Sequence, residues 1–425
     1  MSEFFSMILL SLWLLLHLFQ VINCSSTPLV PALYVFGDSM VDSGNNDFLN
    51  TTAKVNYNPY GTDFPAGPTG RFTNGLTSVD FLAQFLGLHF VPPYLGLSMA
   101  QKGKIITGMN YASGSAGILQ ETGSGMGKNL HLEQQIEFFT ETVNQFLPQN
   151  FKTKDELLQY LSKSIFVVNI GSNDYLNNYL LSTQYNSSHL YTPEQFASVL
   201  LKEFRQHLQE LHNLGARKFV VFNLGPLGCL PAIIKLENIK IGCATRVNEM
   251  VSLYNKGFHS MIQEMRTSFK GSTFVQGNVN LLSSGLLQTM ASNLNGFNFN
   301  QSVVDGSLPL PYSFQKTIET IGDSECDPIE SGTRSRYNYG FLTPSPCCSI
   351  LDNETNYCLK DVSTCMDRTT HFFWDGYHPT QSVYRLLAVG CFYGPIPCTP
   401  INVLQLALEQ PGNASHKHHF VSSSI

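Results

Sequence analysis

Apolar residues in this chain gather in blocks of two kinds. Ala32-Leu33-Tyr34-Val35-Phe36 ends at Gly37, Ser164 to Ile170 stops at Gly171, and Lys218 to Phe222 is closed by Gly225-Pro226. These compact β-branched and aromatic runs read as strands buried on both faces. Thr273-Phe274-Val275 reads as a further strand. Between them lie stretches with helical spacing: Leu76 to Leu86, Leu130 to Phe146, Asp155 to Leu161, Pro193 to about Leu214, Arg246 to Phe269, and Thr380 to Leu387. Thr192 is placed to cap the fourth of these, with Pro193 at its first helical position. Strands alternating with helices predict a mostly parallel α/β sheet covered on both faces. Ligands of such sheets sit beyond the carboxyl ends of the strands, here just after residues 36, 170 and 222.

The N-terminus has a different pattern. Met7 to Leu18 is an unbroken apolar run of 12 residues, short of the roughly 20 that a membrane span needs. With the small residues Cys24, Ser25 and Ser26 after it, it reads as a secretory signal peptide over 1–24. Its first residues, Met-Ser-Glu-Phe-Phe, lack Lys and Arg, so the competing reading is an uncleaved signal anchor. No later stretch is long and apolar enough to span a bilayer, so none remains after cleavage. No linker or repeat interrupts the rest, which reads as a single domain over 25–425, with a core of about 32–408 and a tail of 409–425.

Composition narrows the partners. Charged residues make up 13% and the net charge is −6. No Lys/Arg run exists to displace counterions from phosphates, which argues against nucleic acid. Acceptor sequons at Asn50, Asn186, Asn300, Asn353 and Asn413 read as glycosylation sites of an exported protein. Of ten cysteines, Cys24 falls in the leader, and the odd number left implies one free thiol. The remainder cluster late without a C-x2-C zinc spacing and read as disulfides. Cys229 and Cys243 bracket a short loop and are expected to pair. A secreted protein, in the cell wall or apoplast, is the expected location.

Three segments carry chemistry. Gly37-Asp38-Ser39 follows the first strand, where a Ser on a tight turn is placed for nucleophilic attack; taken alone, the tripeptide is also an ordinary turn. Gly322-Asp323-Ser324 repeats the tripeptide without a preceding apolar strand and reads as a loop. Gly171-Ser172-Asn173-Asp174 follows the second buried strand, so the Asn173 amide comes to the same sheet end as a candidate oxyanion donor; an Asx turn is the bland alternative. Asp375 and His378 are three residues apart on a turn within Phe372-Phe373-Trp374-Asp375-Gly376-Tyr377-His378-Pro379, and can act as orienting acid and general base. Asp38, Asp42 and Asp174 read as turn caps and orienters. His416, His418 and His419 read as a solvated tail rather than a metal site, and neither metal nor cofactor is expected.

Together these segments resemble the plant-type GDSL esterase/lipase family of the SGNH hydrolases. The resemblance runs from Ala32 to about Leu408 and includes Gly70-Arg71-Phe72-Thr73-Asn74-Gly75, Val91-Pro92-Pro93-Tyr94-Leu95, Asn110-Tyr111-Ala112-Ser113-Gly114, Tyr339-Gly340-Phe341 before Cys347-Cys348, and Pro400-Ile401-Asn402-Val403. It implies a three-layer α/β/α sandwich with a flavodoxin-like sheet, and a Ser39–His378–Asp375 triad. It also implies an oxyanion hole from the Ser39 backbone, a backbone N–H of the Gly-rich block, and the Asn173 side chain. Many relatives have Gly at the position of Ser115; the block's donor is Gly114 or Ser115, and Gly114 is the choice carried forward. Met40 replaces the Leu that names the family, a change of little volume. The loop after Cys347-Cys348 lacks the Gly usual there. The reaction implied is hydrolysis of a lipid or other acyl ester through an acyl-enzyme. An extracellular acyltransferase of the cutin-synthase kind would carry the same triad, and a non-catalytic binding protein on a hydrolase fold is the rival of a different class.

Overall fold

The computed structural model describes residues 27–293, 343–350 and 356–409. The leader, the tail beyond 409, Asn300, Asn353, Asn413, Cys326 and the Ser324 copy of the tripeptide lie outside the described residues.

Five strands form one sheet in the order of the chain: β1 (Leu33–Gly37), β2 (Ile165–Asn169), β3 (Lys218–Phe222), β4 (Thr273–Gly277) and β5 (Cys398–Thr399). The first four pair in parallel, and β5 adds a short antiparallel edge. On the other side of β1, the segment around Asn110 runs parallel to it: the Leu33 and Val35 N–H groups donate to the carbonyls of Thr107 and Met109, and Tyr111 N–H returns to Val35. With that segment counted, the parallel order is the doubly wound 2-1-3-4-5 arrangement of flavodoxin-like sheets.

Successive side chains of a strand point to opposite faces. Tyr34, Phe36, Phe166, Val168, Phe219, Val221 and Phe274 pack into one core with α2 (Leu132–Glu141), α3 (Lys154–Lys163), α4 (Pro193–Asn213) and α5 (Thr245–Ser268). Leu33, Val35, Ile165, Val167, Val220, Phe222 and Val275 pack into a second core with α1 (Ser78–Phe85), α6 (Val279–Asn293), α7 (Gln381–Tyr393) and α8 (Val403–Leu408). The α/β/α layering follows from this alternation.

Local rules set the helix ends. Thr192 Oγ1 accepts the Gln195 N–H, with Pro193 at the first turn, as its residues predict. The apolar run to Phe146 is not one α-helix: α2 ends at Glu141 and passes into a π-turn over Thr142–Phe146. α7 runs on to Tyr393, past the expected end at Leu387, because residues up to Phe392 remain buried against the sheet. α6 and α8 escaped the sequence reading.

Disulfides join Cys229 to Cys243, Cys347 to Cys365, Cys348 to Cys358, and Cys391 to Cys398. Cys229–Cys243 is the pairing expected from the sequence. Asn50 and Asn186 are exposed. Among the described residues, no helix is long and apolar enough to cross a membrane.

Candidate active site

β1 leads directly into the turn that carries Ser39. A Cβ on Gly37 would lie 2.3 Å from the Asn169 carbonyl oxygen and 2.6 Å from Val41, so only glycine lets the chain leave the sheet here. The turn is wound tight by the Val41 and Asp42 N–H groups donating to the Asp38 carbonyl, and by Met40 N–H donating to Asp38 Oδ1. Gln135, from α2, clamps Gly37 by donating to its carbonyl and accepting its N–H, each at 2.8 Å.

The loop before α7 supplies the partner residues. Asp375 Oδ1 accepts the backbone N–H groups of Tyr377 and His378, at 2.8 and 2.7 Å, in a side-chain-closed turn. Trp374 N–H donates to the His378 carbonyl and fastens the turn from the other side. The turn brings His378 Nδ1 to 2.8 Å from Asp375 Oδ2, and Nε2 to 2.8 Å from Ser39 Oγ. All three residues are buried, with Asp375 fully so. Segments 336 residues apart in the chain thus converge (Ser39 to Asp375), as the two strand-end and loop motifs led us to expect.

Asn173 sits on a single helical turn, Ser172–Asp174, beyond β2. Its Nδ2 donates to the Ala116 carbonyl at 3.0 Å, and its Oδ1 accepts from Asn177 at 2.6 Å. These bonds fix the amide plane and use one of its two N–H donors, leaving the other for a ligand.

The block between Asn110 and Gly117 departs from expectation. The Gly114 N–H donates to Asp42 Oδ2 at 3.0 Å, so this donor is committed inside the protein. Ser115, at φ 64°, is the residue of the pair that lines the cavity at Ser39. On this ground the candidate donor of the block passes from Gly114 to Ser115.

The carboxylates around the site act as orienters. Asp42 accepts three backbone N–H groups, from Gly44, Asn45 and Gly114. Asp174 accepts from the Ile118 and Leu119 N–H groups and the Thr122 hydroxyl. Burial pushes Asp42 up to about 7 and Asp174 up to about 6, against the lowering effect of those bonds. Asp38 is pushed up to about 7 by burial, opposed by the Met40 N–H and the nearby His378. Its Oδ2 is buried without a hydrogen-bond partner among the described residues.

Ser39, Ser115, Asn173 and His378 share a cavity of about 580 Å³. Much of its wall is apolar: Leu227 follows β3, Val279, Leu282 and Leu287 come from α6, Phe372 precedes the Asp375–His378 turn, and Leu387 lies on α7. Two supporting residues went unread in the sequence. Gln135 is one polar position on an otherwise amphipathic helix. Tyr60 lies in an unremarkable Asn58-Pro59-Tyr60-Gly61 turn, and its partner Asp375 is 315 residues away.

Comparison with known proteins gives the family. A family model described as GDSL-like Lipase/Acylhydrolase matches residues 33–389. GDSL esterase/lipase 7 of Arabidopsis thaliana is 38% identical over 384 residues, 89% of this chain and 93% of the relative. GDSL esterase/lipase At5g08460 of the same plant is 36% identical over 393 residues, 91% of this chain and 89% of the relative. With the strand-end serine, the doubly wound sheet and matches over nearly the whole length, the chain belongs to the GDSL lipase/acylhydrolase family and is a carboxylic ester hydrolase of the plant esterase/lipase type.

Proposed function

We propose that the protein is a secreted serine hydrolase that cleaves esters of apolar acyl groups through a Ser39–His378–Asp375 triad. The observation that carries this reading is the 2.8 Å contact of Ser39 Oγ with His378 Nε2, at the wall of a largely apolar cavity. Ser39 Oγ attacks the ester carbonyl while His378 Nε2 takes its proton. Asp375 holds the Nδ1–H tautomer and stabilises the imidazolium. The oxyanion is received by the backbone N–H groups of Ser39 and Ser115 and by the free N–H of Asn173. His378 then protonates the leaving alcohol, and a water activated by the same imidazole releases the acid.

Export is supported by the apolar leader, the disulfides, and the exposure of Asn50 and Asn186, both in sequons. The apolar wall favours acyl groups of several carbons, since each methylene buried gains about 0.8 kcal/mol, or roughly fourfold in binding.

The test uses a fluorophosphonate, which reacts only with a serine that has both a base and oxyanion donors. Label is expected on Ser39 alone, with none on Ser324, and it should vanish in His378→Ala. In parallel, kcat/KM on p-nitrophenyl esters should climb from acetyl toward the medium-chain acyl groups. Label on Ser324, or none on Ser39 in folded protein, overturns the triad; a rate that falls steadily from acetyl onward overturns the apolar acyl site.

A further inference from the structure

The phenol of Tyr60 donates to Asp375 Oδ2 at 2.6 Å, and both residues are fully buried. The same hydroxyl accepts the backbone N–H of Cys358 at 3.1 Å. Cys358 is bonded to Cys348, whose N–H donates to the carbonyl of Trp374, the residue before Asp375. Tyr60, Asp375, Trp374, Cys348 and Cys358 therefore close a circuit of covalent and hydrogen bonds. The Tyr60 ring is held edge-on to Tyr57 and Trp374.

We propose that Tyr60 is a positioning residue for the triad: its hydroxyl fixes the second oxygen of Asp375 and sets how strongly that carboxylate holds a proton on His378. The proposal rests on Asp375, His378 and Ser39 acting as the triad.

The bonding pattern supports it. Asp375 Oδ1 is held by N–H groups of its own turn and lies 3.0 Å from His378 Nδ1, the longer of that nitrogen's two contacts. Oδ2 meets His378 Nδ1 and, from a distant part of the chain, Tyr60. A donor on a carboxylate draws off part of its charge and so weakens its hold on the imidazolium. Burial, reinforced by the Asp375 charge, drives the Tyr60 phenol well above its ordinary range. It therefore remains a neutral donor across the neutral pH range of the assay. If Tyr60 served only to fill space, phenylalanine would serve as well.

Removing the hydroxyl leaves Asp375 with more charge to place on His378. The imidazolium is then stabilised, and the acid limb of the rate profile moves to higher pH. The other ionisable groups around the pair are Asp38, which acts on His378, and Tyr57, Tyr357, Tyr377 and Tyr384, which act on Asp375. All are retained in the two chains altered at Tyr60, so a shift there is attributable to the Tyr60 hydroxyl.

The experiment compares wild type, Tyr60→Phe, a chain with 3-fluorotyrosine at position 60, and Tyr57→Phe. The rates on p-nitrophenyl butyrate are normalised to serines titratable by fluorophosphonate. For Tyr60→Phe, kcat should fall roughly tenfold, the scale of one lost charge-assisted hydrogen bond, and the pH midpoint should rise by about 0.5 to 1 unit. KM should hold, because Tyr60 does not line the cavity. The more acidic fluorophenol is a stronger donor and should move the midpoint down. Tyr57→Phe should move the midpoint far less than Tyr60→Phe, since the Tyr57 hydroxyl donates to the Cys358 carbonyl and not to Asp375. A normalised kcat and midpoint that stay at wild-type values in Tyr60→Phe overturn the proposal. If that variant does not fold, an unmoved midpoint in the fluorotyrosine chain overturns it. Absence of Ser39 label in the wild type is a separate result and sinks the triad itself.

Discussion

Asp42 Oδ2 accepts the backbone N–H of Gly114 at 3.0 Å, and this bond commits the Gly114 donor inside the protein. The next residue, Ser115, is in the left-handed region at φ 64° and lines the cavity at Ser39.

If the donor is the Ser115 backbone, its side chain is dispensable. Ser115→Gly keeps the N–H and suits the positive φ, so kcat should stay within about threefold of wild type, where loss of an oxyanion donor costs 10² or more. Gly114→Ala should instead destabilise the fold, because its Cβ would lie 2.5 Å from the Phe72 ring and 2.7 Å from Asn46 Nδ2. Esterase assays with thermal melts read both. A collapse of kcat in Ser115→Gly would assign the role to the hydroxyl.

Asn173→Ala removes a side-chain donor whose second N–H is free for the oxyanion. Turnover should fall by about 10² to 10³ with KM little changed. A weakened KM with unchanged kcat in steady-state kinetics would mean that Asn173 binds the ground state.

Asp38 gives the fold a pH signature. Its ordinary value of 3.8 is raised to about 7 in the folded protein, chiefly by burial. A raised folded value means that its stabilisation is complete below the unfolded value and is lost as pH rises toward the folded one. Asp38→Asn cannot ionise and escapes that loss. The Tm of the variant relative to wild type should therefore climb between about pH 4 and about pH 7 and level off above. A Tm difference that is flat with pH would mean that Asp38 does not titrate on folding in this range.

The Cys229–Cys243 link spans 14 positions. Replacing both residues with Ala should lower the unfolding free energy by about 3 kcal/mol, the chain-entropy value for a loop of about 15 residues. Denaturant melts measure the loss, and non-reducing peptide mapping should recover this pair along with Cys347–Cys365, Cys348–Cys358 and Cys391–Cys398. Free thiols at both 229 and 243 would contradict the pairing.

The sequence by itself determined what local rules govern. Buried strands show as compact apolar runs because both faces of a parallel sheet are covered, and their ends point to Ser39 and Asn173. The Asp375–His378 turn was legible because three residues suffice to close it with a side-chain acceptor. The limits of α2 and α7 were less legible, since a π-turn and continued burial against the sheet depend on neighbours that the local pattern does not name. Only the tertiary structure decided that the Gly114 N–H is taken by Asp42, a residue 72 positions away, and that Ser115 lines the cavity. The same holds for Tyr60 behind Asp375 and for the apolar wall that α6 lends to the cavity. Hydrogen bonds between distant segments leave no periodicity in a chain. They exist only after the hydrophobic layers have brought those segments together and excluded the water that would otherwise compete for each donor.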